Sequence, residues 1–304
     1  MIIKTVAISI CTYKRPNQLR QAIRSVKGLS IPEDLSARLV IINNFPSKEV
    51  EKVFREETKD LEISAEYLEE ERRGIVFARN SALSQAKKNK SDYIAFFDDD
   101  DYPDGKWLQN LWFCLQEYSA TVVSGRMIYR WPESCALSEE VKRIYDNALG
   151  SMKTGHRRKK SSTGNTLFDL HFVDQHNLKF HPSFNLTGGE DSHFFESMNM
   201  LGAKIVWCNE ALVYSDIVVN RANDEFVFRR RYNIGYTLHR SDALLHGRAP
   251  ALWKSLLICL DLSVRIIGSF FTFKPNKAKR RKRMSEAKGR FDSIIGVQFE
   301  NYKE

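Results

Sequence analysis

Short unbroken apolar runs alternate along this chain with longer stretches where apolar residues recur every three or four positions. Residues 6–10 (Val-Ala-Ile-Ser-Ile), 39–42 (Leu-Val-Ile-Ile) and 93–97 (Tyr-Ile-Ala-Phe-Phe) are of the first kind. Such runs predict strands buried on both faces. A shorter strand is predicted at 63–68 and another at 121–129. Leu19, Ile23 and Val26 lie on one helical face after a polar turn holding Pro16, which is well placed to start that helix. Further helices are predicted at 50–58, 77–87 and 107–117. Strands alternating with helices predict an α/β fold, with a mainly parallel sheet covered on both faces.

The second half is less regular. Residues 156–162 (His-Arg-Arg-Lys-Lys-Ser-Ser) sit in a polar break at 153–165, expected to be a mobile surface loop or a lid over a site. Gly188-Gly189-Glu190-Asp191 opens a helix through Phe194, Phe195 and Met198, and strands are expected at 204–207 and 211–214. From Arg221 onward the pattern is helical. Residues 251–273 are strongly apolar but carry Lys254, Asp261 and Arg265, the last two spaced to pair on one helical face. A spanning helix wants about 20 nearly uncharged residues. The stretch is therefore expected to lie in an anionic membrane surface, with the Lys/Arg cluster at 274–283 among the headgroups; the alternative is a bundle helix on the catalytic domain with a solvated basic tail. Ending the chain near Pro250 is expected to leave a more soluble body. The organisation expected is a catalytic domain over 1–220 and a helical, basic segment over 221–304.

Charge sharpens that division. The net charge is +9, yet residues 1–220 hold 29 Lys/Arg against 30 Asp/Glu, and residues 221–304 hold 18 against 8. A neutral body with a basic end points to a partner bearing anionic groups. Nucleic acid is not expected, because residues 274–290 interleave no aromatic or recognition element. The five cysteines are scattered with no CxxC, which fits packing cysteines in a reducing compartment. No long apolar leader with a small-residue cleavage site opens the chain, so no signal peptide is expected.

The chemistry concentrates at Asp98-Asp99-Asp100-Asp101, directly after the strand at 93–97. Four adjacent carboxylates repel one another unless a cation or hydrogen bonds offset the repulsion. Oxygen-rich clusters suit Mg²⁺ and Mn²⁺, which clamp phosphate oxygens. In open α/β sheets ligands bind outside the carboxyl ends of the strands, where these aspartates stand. The bland alternative is a solvated turn with Asp101 or Asp104 capping the next helix.

Several features fall in one order: Cys11-Thr12-Tyr13-Lys14-Arg15-Pro16, then Asn43-Asn44, then Gly74 with Ala78-Arg79-Asn80. Phe96-Phe97 with the aspartates follow, then Pro103, Trp107-Leu108, Thr163-Gly164-Asn165 and Gly188-Gly189-Glu190-Asp191. Over residues 4–235 the chain resembles the family-2 inverting glycosyltransferases of bacterial polysaccharide and cell-surface glycan synthesis. The resemblance implies a GT-A fold, a Rossmann-like mixed sheet that binds a nucleotide-sugar and is flanked by helices. It implies Asp98 and Asp100 as metal ligands for Mn²⁺ or Mg²⁺, and Asp191 as the general base. Thr12, Arg15, Asn43, Arg79 and Asp98 would contact the donor, and Asn165 and Glu190 would lie on the acceptor side. The acceptor implied is a lipid-linked or cell-surface glycan, and the location the inner face of the cytoplasmic membrane.

One departure stands out. The family usually has an aspartate after the second strand, and here Asn43, Asn44 and Phe45 occupy that turn. Asparagine can still pair with a base edge, so a UDP-sugar is placed only narrowly ahead of GDP- and dTDP-sugars. A catalytically inactive relative acting as a scaffold is the other reading these residues leave open.

Overall fold

The period-two alternation of a strand separates two hydrophobic layers here. A computed structural model describes residues 3–146, 152–268 and 276–300. Strands β1 (Lys4–Thr12), β2 (Leu35–Asn43), β3 (Ser64–Glu69) and β4 (Tyr93–Phe97) are parallel, in the order β3-β2-β1-β4. Val6, Ile8 and Ile10 of β1 pack with Leu19 and Ile23 of α1 (Pro16–Val26) and with Trp107, Leu108 and Leu111 of α4 (Trp107–Glu117). Helix α2 (Lys48–Glu57) adds Val50 and Val53 to the same layer. Ala7, Val40, Ile42, Ile94 and Phe96 belong to the opposite layer, with Val76, Ala82 and Leu83 of α3 (Ile75–Lys88). Both layers exclude water, which is why the strands read as continuous apolar runs.

Past β4 the sheet becomes mixed. Strands β5 (Asp101–Pro103), β6 (Val122–Arg130), β7 (Arg157–Arg158), β8 (Asn165–Asp169) and β9 (Ile205–Asp216) extend it as β4-β8-β6-β9-β5, with β7 also on β9. Three features depart from the sequence expectation. The polar break at 153–165 is tied into the sheet. Arg157 and Arg158 pair antiparallel with β9, and the Arg158 guanidinium lies 5.1 Å from the Trp207 ring centre. Strand β8 was not expected, yet it is central and antiparallel to both β4 and β6. The two strands expected at 204–207 and 211–214 are one, whose pairing with β6 shifts register at Gly125/Arg126. Asp169, at the end of β8, caps α6 (Leu170–Gln175) by accepting from the His171 N–H at 2.7 Å.

Chain contacts divide the molecule into two units. The first comprises Met1–Arg130, Leu149–Asn185 and Phe194–Asp216, and the second Trp131–Ala148, Leu186–His193 and Ile217–Glu304. Helix α7 (Glu190–Met200) is shared, its first four residues clustering with the second unit. The second unit also holds α5 (Glu139–Asp146), α8 (Asp224–His246), α9 (Arg248–Gly268) and α10 (Lys277–Ile294). Asn223 and Asn276 cap α8 and α10, accepting from the N–H groups of Phe226 and Lys279 at 2.8 and 2.6 Å. Residues 277–283, expected as a basic tail, form the first turns of α10. That helix packs on α8 so closely that a Cβ at Gly289 would stand 2.0 Å from the Tyr232 carbonyl oxygen. One at Gly235 would stand 2.1 Å from that of Glu286. The far end of the apolar stretch, 269–273, and Lys274 and Pro275 lie outside the described residues. No described helix is long and apolar enough to cross a membrane.

Candidate active site

Beyond β4 the four aspartates divide by side. Asp99 and Asp101 are 4% exposed, whereas the side chains of Asp98 and Asp100 are 47% and 29% exposed. Asp98 to Asp101 form a turn between β4 and β5, closed by the Asp101 N–H donating to the Asp98 carbonyl at 3.1 Å, and the turn buries Asp99 while leaving the side chains to either side of it more exposed. Asp101 does not cap α4. It opens β5 and pairs with Ser215 of β9. The cap position of α4 is Lys106, without a side-chain bond, while the Asp104 carboxylate accepts from the Lys106 N–H at 3.0 Å.

The inward pair needs partners, because an unpaired buried charge is costly. Thr12, at the end of β1, donates its hydroxyl to Asp99 Oδ2 at 2.7 Å. Arg15 Nη1 donates to Asp99 Oδ1 at 3.0 Å and to Asp100 Oδ2 at 3.1 Å. Burial nevertheless pushes the Asp99 carboxyl up to about 6; Arg15 and Thr12 oppose the rise, and Asp100 and Asp98 add to it. Burial, with Asp98 and Asp100, also holds Asp101 well above the usual carboxylate range. Partial burial would weaken the hold of Arg15 on its proton, but Asp99 and Asp100 outweigh that and strengthen it.

Parallel pairing brings the carboxyl ends of β1 and β2 together, with Thr12 opposite Asn43. Asn43 has no exposed surface. Its amide donates to the Tyr67 hydroxyl at 2.8 Å and its carbonyl accepts from the Phe45 N–H at 3.3 Å. The exposed side chain on this turn is Phe45, edge-on to Tyr13 at 5.7 Å with Lys14 Nζ 4.4 Å from its ring centre. Asn44 spans the next crossing. It donates to the carbonyls of Glu70 and Arg72 at 2.8 and 2.7 Å and accepts from the Gly74 N–H at 2.7 Å. Gly74 has φ 128°, and a Cβ there would fall about 2 Å from the Asn185 side chain, so only glycine fits. The helix begun there carries Arg79, whose Nη2 stands 3.4 Å from Asp98 Oδ1. Sequence reasoning missed these roles of Asn44, Tyr67 and Glu70. Asparagine after a strand was the only signal available.

Asn165 is 2% exposed and its amide is committed. It accepts from Trp107 Nε1 at 2.8 Å and donates to the carbonyls of Arg126 and Ala211 at 3.0 and 2.9 Å. Glu190 and Asp191 belong to the second unit, in the first turn of α7. Glu190 is buried; Asp191 is half-buried, with Oδ1 accepting from the Ser192 N–H at 2.6 Å. Gly189 before them has φ 89°, and a Cβ there would stand 2.6 Å from Thr237 Cβ. His193 is buried, with Nδ1 3.1 Å from Ser241 Oγ.

Asp98 and Asp100 present oxygen donors outward, at the end of β4. Mg²⁺ is commonly held by one or two carboxylates plus substrate phosphate oxygens. The donor set therefore fits a hard divalent cation. Arg15 and Arg79, each beside one of these carboxylates, offer positive charge for phosphate.

Comparison with known proteins follows the same lines. Residues 7–172 match the family described as glycosyl transferase family 2. The succinoglycan biosynthesis protein ExoM of Rhizobium meliloti (strain 1021) is 27% identical over 81% of this chain and 75% of its own length. Among solved structures, the mannosyltransferase PcManGT from Pyrobaculum calidifontis, in complex with GDP-Man and Mn²⁺, superposes with TM-score 0.63. That match has 13% identity and covers 96% of this chain and 88% of that one. S. aureus TarS 1–349 in complex with UDP-GlcNAc gives TM-score 0.56 at 14% identity, over 96% and 92%. The structural matches share the GT-A fold.

Proposed function

The chain belongs to glycosyl transferase family 2 and has the GT-A fold, and from that premise we propose a metal-dependent, inverting transfer of a sugar. The donor is a nucleotide-sugar, with UDP-sugars first to test. The acceptor is a hydroxyl of a lipid-linked or cell-surface glycan, met at the inner face of the cytoplasmic membrane. The observation that carries the reading is the outward pair Asp98 and Asp100, set beside Arg79 and Arg15 at the carboxyl end of β4.

A divalent cation on Asp98 and Asp100 would neutralise charge on the departing diphosphate as a Lewis acid. Arg15 and Arg79 bring positive charge to the same phosphates, and Thr12 with Asp99 holds the Arg15 side chain. Asn43 braces the turn that meets the base. Asp191 takes the proton of the acceptor hydroxyl as its oxygen bonds to the anomeric carbon and the bond to diphosphate breaks. A single displacement inverts the anomeric configuration. Glu190 shapes the acceptor side beside Asp191, and Asn165 supports the site from behind.

Calorimetry with UDP, GDP and dTDP, with and without Mn²⁺, tests the reading together with a transfer assay. Asp100→Ala should lose metal-dependent nucleotide binding and transfer. Asp191→Asn should keep nucleotide affinity while transfer falls by about 10²–10⁴-fold. Unchanged nucleotide affinity and turnover in the first variant would remove Asp100 from the metal site. Full turnover in the second would remove Asp191 as the base.

A further inference from the structure

Helix α9 carries an outward apolar face that none of the described residues covers. Trp253, Leu257, Leu260, Val264 and Ile267, with Leu252 and Leu256 at one edge, are each 40–70% exposed. At about 100° per residue these seven side chains fall within an arc of about 140°. Ser263 is the polar residue inside the arc, and its hydroxyl turns back to the Cys259 carbonyl at 2.8 Å. Ala251 and Ser255, on the opposite side, are buried.

The three charges that argue against membrane contact in the sequence do not enter the arc. Lys254, Asp261 and Arg265 share one flank of the helix, at about 180–220° on the same wheel. Each is compensated. Lys254 Nζ is 2.5 Å from the buried Asp242, and Asp261 pairs with Arg265 at 2.7 Å. Helix α10 runs antiparallel beside α9. Arg290 donates to Ser255 Oγ at 3.0 Å and Arg283 to the Arg265 carbonyl at 2.9 Å. The first turns of α10 therefore lie at the carboxyl end of α9. Six of the seven residues at 277–283 are Lys or Arg.

We propose that α9 docks in the plane of an anionic lipid bilayer, its 252–267 arc among the acyl chains and the 277–283 run of α10 on the headgroups. This deepens the membrane location proposed above by assigning the face that makes it. Three features select a lipid surface. The arc is wider than the narrow seam of a coiled-coil partner. The adjoining run carries six cations; Arg281 pairs with Asp224 at 2.7 Å and Lys282 stands 3.9 Å from Glu286, and the surplus is positive, as anionic headgroups require. A tryptophan stands in the arc, a side chain favoured at bilayer interfaces.

Sedimentation of the full chain with phosphatidylcholine vesicles, with and without phosphatidylglycerol, tests the proposal. The chain should pellet with the anionic vesicles and far less with the neutral ones. Leu260→Asp should lower partitioning at least about tenfold, since 1.4 kcal/mol corresponds to tenfold. Lys277→Glu with Lys279→Glu should weaken binding to anionic vesicles alone. Hydrolysis of the nucleotide-sugar in solution, read in parallel, should survive all three changes. That keeps a failure of docking separate from a failure of the catalytic reading. Three results would overturn the proposal: wild type left in the supernatant, Leu260→Asp binding as wild type does, or a solution dimer that Leu260→Asp dissociates.

Discussion

At the scale of single residues, place in the turn between β4 and β5 decides the job of identical side chains. Asp98 and Asp100 face outward while Asp99 and Asp101 are buried, although nothing in the letters distinguishes them. Glu70 shows how a neighbouring carboxylate supports the site from a distance. The Arg72 side chain, with Ser81 and the Arg72 N–H, holds its carboxyl down to about 2 against burial. A depressed folded pKa contributes stability that is present above the unfolded value near 4.5 and lost as pH falls through about 2. Glu70→Gln should therefore be less stable than wild type in urea at pH 7, and the gap should narrow steadily as pH drops below 4.5. A gap independent of pH would mean that the ionised carboxylate contributes nothing.

At the scale of elements, β8 organises the half of the sheet that the sequence leaves vague. Its first residue, Asn165, bonds Trp107 of α4, Arg126 of β6 and Ala211 of β9. The family resemblance places Asn165 on the acceptor side, yet in the structure its amide is spent on these bonds. Asn165→Ala removes the partner of the buried Trp107 indole N–H and one donor each from the Ala211 and Arg126 carbonyls, and a buried polar group left unpaired costs about 1–3 kcal/mol. A loss of about 3 kcal/mol or more is expected in equilibrium unfolding, with the acceptor KM of the folded fraction unchanged. A raised acceptor KM at wild-type stability would restore the acceptor-side role. The sequence could not announce β8, because Asn-Thr-Leu-Phe-Asp is too short and too polar at its ends to stand out. Its pairing with β4 and β6 makes it a strand.

Across the whole molecule, charge asymmetry was legible but its architecture was not. The sequence suggests that stopping near Pro250 frees a soluble body. In the structure the removed part packs on α8. Tyr232 and Tyr236 donate to Asp292 and to the Val297 carbonyl at 2.8 and 2.9 Å, and Arg281 covers the Phe228 ring at 4.2 Å. A chain ending at Pro250 should expose that surface of α8, bind a hydrophobic dye and aggregate on concentration. A monodisperse truncated protein with the thermal midpoint of the full chain would show that α10 is dispensable.

What the sequence determined alone was local and periodic. Apolar runs specified β1, β2 and β4, three- and four-residue spacing specified α1 to α4, and the ordered motifs identified the family. Tertiary structure decided which aspartates face outward, that β8 sits between β4 and β6, and that β7 is tied to β9. It also decided which groups Asn43 and Asn165 bond, and that Lys254, Asp261 and Arg265 of α9 are paired. The physical reason is common to all of these. Propensity and periodicity are sums over neighbours in the chain. Burial, hydrogen-bond partners and ion pairs depend on residues far apart in sequence, such as Thr12 with Asp99 and Trp107 with Asn165.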